Sequence, residues 1–99
     1  MAVSGNRKVH DISSTIATGG TAQALAAANE LRNGYSVQNL SSGNLYVNDV
    51  GGAAVTTATG ASITLIPGAL YESPAGVRPT AAISIIGATT SQAFAAREW

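Results

Sequence analysis

The chain has 99 residues, 45% of them hydrophobic, enough for one domain with one modest core and too few for a second. Five basic and five acidic residues cancel to zero formal charge, which excludes a basic footprint for nucleic acid, and the lack of cysteine excludes a disulfide framework or a thiolate nucleophile. A surface this poor in charge resists association weakly, which favours a chain that works inside an assembly.

Residues 1–20 carry Val9, Ile12 and Ile16 among polar residues and three glycines. The pattern is too thin for a core and predicts an extended arm with one short strand, of the kind that docks on a neighbour. Arg7 and Lys8 precede no apolar run, and no window approaches the ~20 apolar residues of a membrane span, so neither secretion nor a membrane partner is expected.

Residues 21–32, Thr-Ala-Gln-Ala-Leu-Ala-Ala-Ala-Asn-Glu-Leu-Arg, admit two readings. Their alanine content, with Thr21 as an N-cap and Gly34 as a stop, favours a helix; the alternative is a strand over Gln23–Ala27 followed by a loop through Asn29 to Gly34.

The remainder reads as β-structure, with short Val- and Ile-rich runs punctuated by Gly, Asn and Pro. Val37 to Val50 holds two alternating stretches joined at Ser41-Ser42-Gly43-Asn44, a predicted hairpin in which Gly43 supplies positive φ. Ser62 to Ile66 alternates and meets Pro67-Gly68, suited to the centre of a type II turn, before Ala69 to Glu72, a second predicted hairpin. A third is predicted from Ala81–Ile86 and Gln92–Trp99 around the polar break at 87–91. Three hairpins with one apolar face each predict a small antiparallel β-sandwich, jelly-roll-like, of six to eight strands over residues 21–99.

Particular stretches carry a resemblance: Ala-Ala-Asn and Arg32, Tyr-Ser-Val-Gln-Asn-Leu-Ser-Ser-Gly-Asn-Leu-Tyr-Val-Asn at 35–48, Ile-Thr-Leu-Ile-Pro-Gly-Ala-Leu-Tyr-Glu-Ser-Pro at 63–74, Pro-Thr-Ala-Ala-Ile-Ser-Ile-Ile-Gly-Ala-Thr at 79–89, and the ending Phe-Ala-Ala-Arg-Glu-Trp. From about Thr21 onward the chain resembles a small β-sandwich family of virion-associated proteins of tailed bacteriophages. It departs from that pattern at Glu30-Leu31, where similar proteins carry a Pro and a further Arg, and the arm before Thr21 is outside the resemblance. The resemblance implies a strand at 23–27. It also implies a virion protein of the capsid decoration or cement type, clamping adjacent capsid subunits.

Motifs for chemistry are sparse. His10-Asp11 is the one adjacent His–carboxylate pair, and in a strand its side chains point to opposite faces. Asp49, Glu72 and Glu98 sit singly on different predicted hairpins, so no carboxylate dyad is local. Asn44 to Asp49 has oxygen-rich ends but places Leu45, Tyr46 and Val47 where a Ca²⁺ loop needs ligands, and Gly19-Gly20 and Gly51-Gly52 lack the residues of a phosphate loop. Asn39-Leu40-Ser41 is formally a glycosylation triplet without a secretion signal. Tyr35, Tyr46, Tyr71, Phe94 and Trp99 suit the core and edges of a sandwich better than a sugar-stacking platform.

The expectation is therefore a non-enzymatic protein with no cofactor and no metal. Its partners are expected to be the major capsid protein and further copies of itself in a dimer or trimer, within a virion assembled in the host cytoplasm. Val9, Ile12, Ile16 and Trp99 are the candidate interface residues, Trp99 because a large ring beside Arg97 and Glu98 is costly to leave exposed. The competing expectation is a receptor- or carbohydrate-binding module of a tail fibre, spike or connector, using the loops Val50–Ala61 and Ser73–Thr80.

Overall fold

The computed structural model describes residues 8–57 and 60–99, and among these it contains no helix. The strands are β1 (His10–Asp11), β2 (Ser14–Thr15), β3 (Gln23–Ala26), β4 (Tyr35–Asn39), β5 (Leu45–Asn48), β6 (Ile63–Leu65), β7 (Leu70–Glu72), β8 (Ile83–Gly87) and β9 (Ala93–Glu98). The alanine-rich stretch is thus a strand where the chain needs one: Leu25 and Ala26 face the core, and pairing with β8 overrides helical propensity.

A five-stranded sheet has the order β1-β9-β4-β7, with β2 also pairing β9, and a four-stranded sheet has the order β3-β8-β5-β6; every pairing is antiparallel. The pairs β2·β9, β3·β8, β4·β7 and β5·β6 are nested. They form one long ribbon with its tip between β5 and β6, rolled up until β4 meets β9 and β5 meets β8. This is the strand order of a jelly-roll sandwich, with β1 and β2 as two short pieces of one edge position.

The three predicted hairpins are therefore corrected. β4 and β5, β6 and β7, and β8 and β9 each lie in different sheets, so the turn between each pair is an arch that crosses the core. Alternation with a polar break marks a chain reversal but not which strand becomes the neighbour. The turns themselves differ in detail. Gly68 has φ 83° and the Ala69 N–H donates to Ile66 O at 2.9 Å, as a type II turn centred on Pro67-Gly68 requires, whereas Gly43 does not use positive φ.

The core lies between the sheets: Ile16, Leu25, Tyr35, Val37, Leu45, Val47, Leu65, Ile83, Ile85 and Phe94 pack together, with Ile12, Ile63, Ala69 and Tyr71 partly buried around them. The side chains alternate as the pleat demands, so Val37 and Asn39 point in while Gln38 is half-buried. Truncating a member such as Ile85 to alanine costs about 2–5 kcal/mol.

Antiparallel crossing puts the connections at two ends. The short ones, 16–22, 40–44, 66–69 and 88–92, gather at one end; the long ones, 27–34, the described residues 49–57 and 60–62, and 73–82, gather at the other with Trp99.

Candidate interaction surfaces

The short-loop end is built from buried amides. Asn39, fully buried, donates through Nδ2 to Gly43 O (2.7 Å) and Leu65 O (2.8 Å), and its Oδ1 accepts from the Ser41 N–H (2.8 Å) and hydroxyl (2.7 Å). Gln92 accepts from the Thr89 N–H (2.9 Å) and donates to Ser41 Oγ (3.0 Å) and Asn44 O (3.2 Å). These side chains satisfy arch groups that no ladder partner reaches, which makes this end a rigid closure. Its Asn39 is sealed inside the fold, so the formal glycosylation triplet presents no accessible amide.

The long-loop end is organised by Arg32, 1% exposed, in the loop after β3. Its Nε donates to Glu98 Oε1 at 2.8 Å, Nη1 to Pro79 O (2.7 Å) and Ala81 O (3.0 Å), and Nη2 to Ala27 O. Four of the five guanidinium N–H donors are engaged by three chain segments. The Asn29 N–H donates to Thr80 O (2.8 Å) and Arg78 Nη2 to Glu30 O (2.6 Å), stitching the 27–34 loop to the 73–82 loop.

Behind them, the Tyr35 hydroxyl donates to Asp49 Oδ2 at 2.7 Å, and the Tyr35 and Tyr71 rings meet tilted at 5.8 Å. Burial, reinforced by the Asp49 carboxylate, pushes the Tyr35 phenol well above its ordinary value and pushes Tyr71 up in the same way. A cleft of about 400 Å³ opens here, with Asp49, Tyr71, Ser73, Arg78 and Thr80 as its polar lining and Val50 and Val77 on its walls.

The outer face of the five-stranded sheet is a trough of about 470 Å³. Register aligns Asp11, Arg97, Ser36 and Glu72 in one row, and Ala95, Gln38 and Leu70 in the next. The small side chains form the floor, and Val9 (56% exposed) and Leu70 (63%) stand at its sides. The Ser13 backbone N–H donates to Asp11 Oδ1 (2.9 Å) and, with the Ser13 hydroxyl, holds the Asp11 carboxyl below its usual value.

The candidate interface residues are dispersed. Val9 borders the trough, Ile12 is half-buried against the core, and Ile16, 1% exposed, belongs to this chain's own core. The Trp99 ring lies on Gly34, where a Cβ would come within 2.7 Å of Cζ2; the Asn33 and Gly34 N–H groups donate to Trp99 O (2.6 and 3.0 Å) and the Trp99 N–H to Gly34 O (2.9 Å). From residue 10 the expected arm runs as β1 and β2 along β9, while residues 1–7 and the 58–59 part of the Val50–Ala61 loop lie outside the described residues.

The residues weighed for chemistry are also apart. His10 and Asp11 are exposed on β1; Asp49 is bound by Tyr35, Glu98 by Arg32, and Glu72 is exposed on the edge strand β7. Asn44 and Asp49 stand at opposite ends of β5. Among the described residues no three His, Cys, Asp or Glu side chains gather as a metal site. Sequence reasoning missed the roles of Arg32, Asn39 and Gln92. The available hint was an arginine closing an alanine-rich stretch, where a cation that enters a core must bring several acceptors.

The two antiparallel sheets define a small jelly-roll sandwich. Compared with family models, curated proteins and solved structures, the chain gives no match.

Proposed function

We propose that this chain is a non-enzymatic structural protein of a tailed-phage virion, a capsid decoration or cement protein that bridges neighbouring capsid subunits. Its partners are the major capsid protein and further copies of itself in a dimer or trimer, with no nucleic acid or membrane involved. The reading starts from the sequence resemblance, and the observation that carries it is the trough on the five-stranded sheet. A floor of Ser36 and Ala95 lets a partner backbone approach closely, and Val9 and Leu70 offer apolar contacts at its sides. A standard interface of roughly 1,600 Å² in total is enough for stable attachment.

The test is cosedimentation of Leu70→Asp and Ala95→Arg variants with heads that lack the protein. Both positions lie on the outer face, so the circular dichroism spectrum and thermal midpoint stay close to those of the parent while particle binding is lost. Binding at parental level by both variants would exclude the trough as the attachment face.

A further inference from the structure

The outer-face trough is not the only concavity on this protein. The cleft at the long-loop end is separate from it and shares none of its lining. We infer that this second cleft is a binding site for a neutral mono- or disaccharide.

The first argument is size and build. At about 400 Å³ the cleft falls within the ~300–1,000 Å³ range of small-molecule sites. Its position is held by a framework rather than by a single loop: Arg32 and Asn29 anchor the 73–82 segment, and Arg78 is tied to Glu30 O. Asp49 is oriented by the hydroxyl of fully buried Tyr35. Polar groups fixed before binding lose little freedom when a ligand arrives.

The second argument is chemistry. The lining is amphipathic, with Val50, Val77 and the Tyr71 ring as apolar surface and the Asp49 carboxylate, the Arg78 guanidinium and the Thr80 hydroxyl as polar groups. A wholly apolar ligand would take that carboxylate and guanidinium out of water while the Tyr35 hydroxyl and Glu30 O satisfy just part of their hydrogen-bonding capacity, at a cost of several kcal/mol. An anionic ligand finds one cation, Arg78, offset by Asp49. A sugar ring matches both halves: its C–H face covers an aromatic or aliphatic wall, and its hydroxyls both donate to a carboxylate and accept from a guanidinium or hydroxyl. The site stands whether or not the attachment proposal does, because the two surfaces are distinct.

The test is a heteronuclear NMR titration of the full chain with glucose, galactose, mannose, N-acetylglucosamine, maltose and lactose, with glucose 6-phosphate as the anionic control. The expected result is saturable shifts at Asp49, Tyr71, Thr80 and Ala81 with at least one neutral sugar, at a millimolar Kd. That affinity should fall about tenfold or more in Val77→Asp, an exposed wall position that leaves the core intact, and in Asp49→Asn. Absence of saturable shifts from every neutral sugar would overturn the inference. So would preferential binding of the phosphorylated sugar, or binding unchanged in both variants.

Discussion

Arg32 Nε and Glu98 Oε1 lie 2.8 Å apart, and this contact joins the loop after β3 to the end of β9. The pair is asymmetric: the arginine is 1% exposed and the glutamate side chain 22%. Coulomb attraction alone would not compensate the desolvation of a buried guanidinium. What stabilises it is the set of backbone carbonyls of Ala27, Pro79 and Ala81 that engage three of the four remaining N–H donors. One residue thus ties three segments of the long-loop end together.

Removing that residue should be costly. Arg32→Met leaves three carbonyls and a carboxylate without their donor, and is expected to lower stability by about 3–5 kcal/mol in urea unfolding. Arg32→Lys retains the charge but not the fork and should lie between parent and Met variant. Glu98→Gln retains an acceptor and should cost only about 1–2 kcal/mol. Arg32→Lys at parental stability, with Glu98→Gln as costly as Arg32→Met, would show that the charge, not the hydrogen-bond geometry, is what matters.

Gly34 has its place because the Trp99 ring and Ser73 Oγ leave no space for a Cβ, at 2.7 and 2.9 Å. Gly34→Ala should displace the ring and cost about 1–3 kcal/mol, with a red shift of tryptophan emission as the ring is exposed. Emission unchanged at parental stability would refute the packing.

At the other end, Ser91 adopts φ 71°, a left-handed conformation that a serine occupies with strain. Ser91→Gly should raise stability by roughly 0.5 kcal/mol, the relief exceeding the added chain entropy. Asn39→Leu in the neighbouring arch should do the opposite, costing about 2–3 kcal/mol because Gly43 O and Leu65 O lose their donor. Differential scanning calorimetry separates the two signs.

Much of this architecture was legible in the sequence. The alternation at Val37–Asn39, Leu45–Asn48 and Ile63–Leu65 predicts strands, and strands they are. The Pro67-Gly68 turn is placed correctly because only the glycine tolerates that φ. What the residues could not tell was pairing. An arch and a hairpin share the same apolar alternation and polar break, and the choice is made by groups far away in sequence: the Leu40 N–H goes to Ala93 O and the Asn39 side chain to Leu65 O. The cleft was foreshadowed only as two loops, since Asp49 and Tyr71 converge with them through the roll and not through any local spacing.

Stability should also fall at alkaline pH. The Tyr35 phenol is raised above its ordinary value of 10.0 by burial and by the Asp49 carboxylate, and Tyr71 is raised by burial. A raised phenol keeps its proton more tightly in the folded chain, so the stabilisation is fully present below pH 10 and is lost as the pH rises beyond it. Urea midpoints should be flat from pH 8 to about 9.5 and decline above. Tyr35→Phe should shallow that decline while lowering stability at pH 8 by about 1 kcal/mol through the lost hydrogen bond. An identical alkaline decline in Tyr35→Phe would mean that other groups govern it.

The central claim is attachment to a capsid, and the most direct measurement is the number of copies bound. Purified protein is mixed with otherwise complete tailed-phage particles that lack it, the particles are sedimented, and bound copies are counted by quantitative mass spectrometry. A decoration protein saturates at hundreds of copies per particle, in proportion to the capsid subunits. Saturation at a handful would move the protein to the tail or connector, and no binding at all would remove it from the particle; either result contradicts the account.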